Sequence, residues 1–480
     1  MKQLFLGLLC CLSGAPLFAK DGYTIKVNFK QHIPDHYVYL AHYYAKSFPT
    51  VYKVDSAEVV NGNKAVFQNK DSVLGGIYMV LYKKNSKTAE FLLDNGDKFE
   101  MTIDTSGMPK GISFKGSQQN GNYVAYEEYL HQYGQQREAL VKEIKTAKNA
   151  ADSQRIEDEA QRLSDELTDF RKKSIQQNPN TLFAALLKTL IMPEAPKGTH
   201  YLADGKTVDS NFAYNFYKDH YWDNFDFSDS RLMFAPIYEP RLKEYFSRII
   251  LPVPDTVNAE ADKLLAKARK SKEIFKYTLY WLANYAETSR IMGMDEVFVH
   301  LVENYYMKGD AFWLDSAQLA KYEDRAKKIA PNVIGNPAPK LDLQDIWTLQ
   351  DKPLDDVRSP YTLVVFWSPT CGHCQKEIPL IDSVYNSALK QKGVTVYSVP
   401  VEGNLTDIQK FVEKDHIRDW INVVDAHNKS NFKDNYDVYS TPQVYLLDKN
   451  KTIIGKKLDH SNILDVINWN EKQKAKDGKG

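Results

Sequence analysis

The sequence predicts a multidomain chain: an N-terminal β-sandwich, a central all-α helical region and a C-terminal α/β domain. Three observations predict it. Apolar residues alternate at strand spacing as far as about residue 116. After Gly121 they recur at three- and four-residue steps, the spacing of a helix face. Pro331, Pro337 and Pro339 then break the chain, and beyond them short strand-like and helix-like runs alternate.

Ahead of these domains, residues 1–19 read as a cleavable export signal. Lys2 gives a positive start, Leu4 to Leu12 is apolar but too short to span a bilayer, and Leu17-Phe18-Ala19 offers a processing site. Cys10 and Cys11 fall inside this segment. A lipid-acceptor cysteine follows a small residue, whereas Leu9 precedes Cys10 and Cys10 precedes Cys11, so the pattern points to a signal peptide rather than a lipoprotein. The expected location is the periplasm or cell envelope. Processing leaves Cys371 and Cys374 as the mature cysteines. Lys+Arg and Asp+Glu are equal at 62 each, which argues against nucleic acid or an anionic membrane as a bulk electrostatic partner. Oligomeric state is not legible.

The sandwich is read over residues 20–116. Tyr23, Ile25, Val27 and Phe29 alternate with polar residues, and Tyr37–Tyr44, Ile77–Tyr82 and Phe91–Leu93 continue the pattern. Asn61-Gly62 and Asn95-Gly96 are tight-turn dipeptides. About seven antiparallel strands are expected. The helical domain is read over residues 117–330. Tyr126 to Ile144 and Ile156 to Phe170 each carry an apolar stripe, with Asn149 to Ser153 breaking one helix and capping the next. A further helix is expected at 181–191, and another helical stretch at 259–330 with a break at Met292-Gly293-Met294. His300 follows Glu296 by four residues, but no third ligand accompanies them, so a packed histidine is the simpler reading. No phosphate-binding glycine loop, Gly-x-Ser-x-Gly elbow or internal repeat is present.

The C-terminal domain, residues 331–475, begins with a buried-type strand, Leu363 to Trp367, that runs into Cys371-Gly372-His373-Cys374 and out into a helix. Cys371 then lies at a helix N-terminus, where unpaired N–H groups favour a thiolate. Cys374 lies about one turn deeper, close enough to resolve a mixed disulfide. Gly372 is expected to ease the turn. A structural staple and a zinc site are the alternatives. Zinc wants four ligands, and His416, His427 and His460 lack ligand spacing. No metal or cofactor is expected.

The segments IGNPAPKLDLQD, LVVFWSPTCGHCQKEIP and YSTPQVYLLDKNKTI resemble thioredoxin-fold proteins of the extracytoplasmic TlpA/ResA-like branch. The resemblance implies a redox-active centre with Cys371 attacking and Cys374 resolving. It implies that Thr441-Pro442 is the cis-proline loop that meets substrate, that Glu377 assists proton transfer, and that Trp367 matches the branch's tryptophan. Trp367, Gly372, His373, Thr441 and Pro442 are thus expected to bind substrate or tune the centre. Two positions depart from the branch: Thr370 stands where a tryptophan is common, and His373 replaces the usual proline. Cys-Gly-His-Cys also occurs in protein disulfide isomerases. The implied function is an exported thiol–disulfide oxidoreductase with protein thiol or disulfide clients. The surroundings favour a reductase, which needs a membrane electron-transfer partner. An isomerase or oxidase, and a partner-binding protein with an idle disulfide, remain open. The N-terminal segments resemble a DUF4369-type β module and an uncharacterised helical family, expected to position the redox domain or present a partner. On that division of labour, deleting residues 20–330 leaves exchange with small disulfides intact.

Overall fold

The computed structural model describes residues 22–47, 49–107 and 111–477; the segment read as an export signal, with Cys10 and Cys11, lies outside them. The chain divides into two compact units, one reaching Ile249 and including Lys270–Ile274, the other holding Ile250–Arg269 and everything from Phe275 onward.

In the first unit, eight strands are found among the described residues: β1 (Tyr23–Phe29), β2 (Tyr37–His42), β3 (Tyr52–Glu58), β4 (Lys64–Asn69), β5 (Gly76–Tyr82), β6 (Lys87–Leu93), β7 (Lys98–Ile103) and β8 (Ile112–Lys115). They form two four-stranded sheets, ordered β4-β1-β7-β8 and β3-β2-β5-β6. Inward residues of both, among them Ile25, Leu40, Phe67, Val80, Phe91 and Met101, share one core, so the sandwich expected from the alternation is present. It is not wholly antiparallel. β1 pairs with β7 in parallel, Thr24 opposite Lys98 through Phe29 opposite Ile103. Period-two patterning is the same for both directions, so sequence could not distinguish them.

Helices α1 (Gln118–Ile144) and α2 (Ala150–Gln177) form the expected hairpin, and the Asn149 side chain caps α2 by accepting from the Asp152 N–H at 2.9 Å. Asn120 at the root of α1 is fully buried and ties it to β6, accepting from Leu92 N–H at 2.6 Å and donating to Leu92 C=O at 2.8 Å. α3 (Leu182–Thr189), α4 (Phe212–His220) and α5 (Tyr238–Glu244) complete this unit.

The second unit opens with α6 (Pro254–Ala268), α7 (Lys272–Thr288, whose first turn is counted with the first unit), α8 (Met294–Leu301) and α9 (Ser316–Ile329). Gly293, at φ +87°, makes the break before α8. The helical region expected as one domain at 117–330 is therefore shared between the two units.

A six-stranded sheet follows, with strands β9 (Gln344–Asp345), β10 (Tyr361–Trp367), β11 (Val394–Pro400), β12 (Ile421–Val424), β13 (Gln443–Asp448) and β14 (Ile453–Lys456) in the order β14-β13-β10-β11-β12-β9. β10 pairs parallel with β11 and antiparallel with β13, which makes the sheet mixed as expected. Helices α10 (Cys374–Val384), α11 (Leu405–Lys414), α12 (Phe432–Asn435) and α13 (Ile463–Asp477) complete the α/β domain. Every residue of β10 is buried. Leu363, Val365 and Trp367 face a core shared with α10, α11 and α13; Val364 and Phe366 face another with Phe432 and Tyr436. Each such aliphatic side chain contributes about 1.5–3 kcal/mol through burial. The strand that delivers the two-cysteine turn is thus anchored on both faces.

Two ion pairs join the helices of this unit to its α/β domain. Lys456 of β14, fully buried, pairs with Asp295 of α8 and donates to Asn332 C=O at 3.0 Å and Asn332 Oδ1 at 2.5 Å. Arg325 of α9 pairs with Asp437.

Candidate active site

β10 ends at Trp367, and the next residues turn into α10. Cys371 N–H donates to Ser368 C=O at 3.2 Å, and Gln375 N–H donates to Cys371 C=O at 3.1 Å, which closes the turn between strand and helix. α10 begins at Cys374, so Cys371 stands just ahead of the helix N-terminus, as the strand–turn–helix reading expected. Cys371 is half-buried and Cys374 is fully buried; both are free thiols. The cis peptide bond between Thr441 and Pro442 lies beside them, and Cys371 Sγ donates to Thr441 C=O at 3.2 Å.

The two thiols are driven apart in acidity. Burial raises Cys371, but hydrogen bonds from the Thr441 side chain, the Cys374 backbone and thiol, and the His373 backbone outweigh it, so the thiol is held below its ordinary value. Burial pushes Cys374 up to about 11, the neighbouring Cys371 sulfur adds to the rise, and hydrogen bonds from Ser368 and Thr441 offset only part. Alkylation of the reduced protein should titrate in two steps, Cys371 below the ordinary thiol value and Cys374 near pH 11, readable by mass spectrometry of each cysteine across pH. The stability signs are opposite. Cys371, depressed on folding, adds stability as pH rises from its folded value to the ordinary thiol value. Cys374 removes stability as pH rises from the ordinary value towards about 11.

The other expected residues sit as follows. His373 is exposed and contributes its backbone to the Cys371 sulfur; its carbonyl accepts from Glu377 N–H at 2.9 Å. Gly372 is also exposed, but not at positive φ, and a Cβ there would meet nothing within 4 Å. The turn therefore does not draw on glycine's left-handed freedom, and a side chain at this position would project into open space. Trp367 is fully buried, stacked on Phe411 at 4.4 Å, with its indole N–H donating to Ser398 Oγ at 2.7 Å. A side chain with no exposed surface supports the turn from below and does not meet a client.

Glu377 lies in the first turn of α10 and is claimed by His460. One carboxylate oxygen accepts from His460 N–H at 2.7 Å, and the His460 Nδ1 lies 2.9 and 3.1 Å from the two oxygens. Sequence reasoning treated His460 only as a failed metal ligand. A contact spanning 83 residues leaves no local signal. Glu402 was also missed. It accepts from Ser368 Oγ at 2.5 Å and Thr370 Oγ1 at 2.7 Å, and these donors hold its carboxyl below the usual range. Thr370, in place of a tryptophan, thus has a specific polar role at the edge of the site. Among the described residues no three His, Cys, Asp or Glu side chains come together as metal ligands, and no helix is long and apolar enough to cross a membrane. His300 contacts Asp262 at 2.9 Å.

Residues 334–456 match the AhpC/TSA family, and they contain the Cys371–Cys374 turn and the cis-proline loop. Residues 334–456 are a thioredoxin-like domain of the AhpC/TSA family. Ahead of this thioredoxin-like domain, residues 23–123 match a domain of unknown function, DUF4369, and residues 164–332 match another, DUF5106. The chain is similar to the thiol-disulfide oxidoreductase ResA of Geobacillus kaustophilus, 28% identical over 24% of this chain and 64% of the relative. It is also similar to the thiol:disulfide interchange protein DsbE of Pseudomonas fluorescens, 24% identical over 32% of this chain and 81% of the relative. The chain spans just under two thirds of the length of the ResA relatives it matches. Among solved structures, a thioredoxin-like protein from Bacteroides caccae is 22% identical, with 57% of this chain and 98% of that one covered at a TM-score of 0.46.

Proposed function

We propose that this protein is an exported thiol–disulfide oxidoreductase that reduces disulfides of envelope proteins through Cys371 and Cys374. The observation that carries the reading is the contrast between an accessible, acidified thiol at Cys371 and a buried one at Cys374 whose value rises to about 11. The similarity of part of the chain to ResA and DsbE supports it. The Cys371 thiolate attacks a client disulfide, forming a mixed disulfide and releasing one client thiolate, which takes up a proton. Cys374 loses its proton and attacks the Cys371 sulfur. The second client thiolate leaves, and a Cys371–Cys374 disulfide remains. The client gains two electrons. An external dithiol, carried by a membrane partner, returns the centre to its reduced form. Glu377, one turn along α10 from Cys374 and held by His460, is the carboxylate assigned to take the Cys374 proton. Thr441 and Pro442 flank the client segment.

A second reading has an observation in its favour. Lowering the Cys371 thiol stabilises the reduced form and makes the disulfide a stronger oxidant, the poise of an isomerase or oxidase. Equilibration with glutathione separates the two. A potential below about −250 mV supports the reductase, and one near about −180 mV or higher supports the isomerase or oxidase. Insulin reduction by the full chain, with trapping of envelope proteins on Cys374→Ala, tests the activity itself. No reduction together with an empty trap leaves the partner-binding reading.

A further inference from the structure

The segment that leads into the cis-proline loop is gripped by α9, a helix outside the thioredoxin-like domain. Arg325 forms an ion pair with Asp437, whose side chain is only 4% exposed, and reaches Glu287 at 3.2 Å on its other side. The same guanidinium lies 4.6 Å from the centre of the Tyr439 ring. Lys328, one turn on, donates to the Tyr439 hydroxyl at 3.4 Å and pairs with Asp434 at 3.5 Å. Just past the helix, the Asn332 amide donates to Asn435 C=O at 3.0 Å. Residues from 434 to 439 are thus held at four points by a stretch of chain of less than three helical turns.

The segment needs holding. Asp437 sits at φ +51°, a left-handed conformation that a non-glycine residue adopts at a cost. Two residues after Tyr439 comes Thr441, whose carbonyl accepts from Cys371 Sγ at 3.2 Å and which is foremost among the groups that hold this thiol below its ordinary value. A continuous path therefore runs from Arg325, through Asp437 and Tyr439, to the Thr441 contact with the attacking thiol.

We propose that Arg325 and Lys328 of α9 are positioning residues for the Cys371 centre, setting the placement of Thr441 against its sulfur, so that the helical module forms part of the redox machinery. The inference rests on the function proposed above. It gives the α6–α9 helices a task beyond carrying the redox domain: they fix the loop that the attacking sulfur and the client both meet.

The test uses the full chain and two variants. Arg325→Met removes the grip but leaves Asp437 buried without its partner, and so risks lower stability. Arg325→Met with Asp437→Asn removes the grip without an orphaned charge. Each is read by the pH profile of iodoacetamide alkylation at Cys371 and by thermal unfolding. In both variants the profile should move towards higher pH and the neutral-pH rate should fall about three- to tenfold, as the thiolate fraction falls. Insulin reduction should fall with it. A double variant that melts normally and keeps the wild-type alkylation profile overturns the proposal, since a purely structural ion pair leaves thiol acidity in place. If the wild-type chain itself reduces no insulin and shows no acidified thiol, the proposed function fails instead, and the two failures are told apart by the wild-type control.

Discussion

Cys371→Ser is expected to bring insulin reduction down to the uncatalysed background, while Cys374→Ala should still attack and then stall. The asymmetry follows from the placement of the sulfurs. Cys371 is the half-exposed one, beside Thr441, with hydrogen bonds from the Cys374 and His373 backbones stabilising its thiolate. Serine at that position keeps the shape but has an alcohol acidity far too low to supply the nucleophile. Cys374 is fully buried and pushed up to about 11, so it stays protonated until a sulfur–sulfur bond forms at its neighbour. Cys374→Ala should therefore accumulate mixed disulfides, seen as reductant-sensitive bands on non-reducing gels. Equal residual turnover in the two variants would contradict the assignment of roles.

Asp295→Ala is expected to destabilise the second unit by about 3–5 kcal/mol, because it strands a buried charge at Lys456. Burial already lowers the lysine below its ordinary value, and the Asp295 carboxylate is what opposes that shift. Both side chains are almost without solvent contact, at 0% and 3% exposed. Asn332 supplies two acceptors but no negative charge. Replacing the pair together, Lys456→Met with Asp295→Leu, should recover most of the loss, since well-packed apolar residues often match a buried ion pair. Chemical denaturation monitored by tryptophan fluorescence measures all three. The same contact revises the truncation expected to work. Deleting residues 20–330 removes Asp295 and leaves Lys456 in place. A chain starting at residue 250 keeps the pair, and it should be the more stable fragment by about the same 3–5 kcal/mol. Equal stability of the two fragments would show that the pair carries no such weight.

The parts of the protein that were legible in the sequence are those whose cause is local. The alternation of Tyr23, Ile25, Val27 and Phe29, the cap at Asn149 and the break at Gly293 each follow from neighbouring residues, and each is present. The strand–Cys–helix junction is local too, and Thr441-Pro442 was placed beside it by resemblance. What was not legible depends on residues far apart in sequence. The parallel pairing of β1 with β7 joins positions about seventy residues apart, and alternation carries no direction. His460 meets Glu377 across 83 residues, and Arg325 meets Asp437 across 112. A lone arginine on an amphipathic helix reads as a solvated charge, so nothing in the α9 sequence announces that it reaches the redox domain. The boundary expected at 331–339 lies where the matches at 164–332 and 334–456 meet, but proline punctuation gave no sign that two ion pairs, Arg325–Asp437 and Lys456–Asp295, join the helices to the α/β domain across it.

The depth difference between the two sulfurs also bears on how the protein survives its surroundings. A small oxidant or a glutathione adduct meets the outer sulfur first, because the inner one has no open surface. The inner sulfur lies within reach to expel such an adduct as glutathione and close the internal disulfide, which a donor then reopens. On the function proposed above, the centre would carry its own means of clearing thiol adducts, and damage that would silence a solitary cysteine would become one more turn of the exchange cycle.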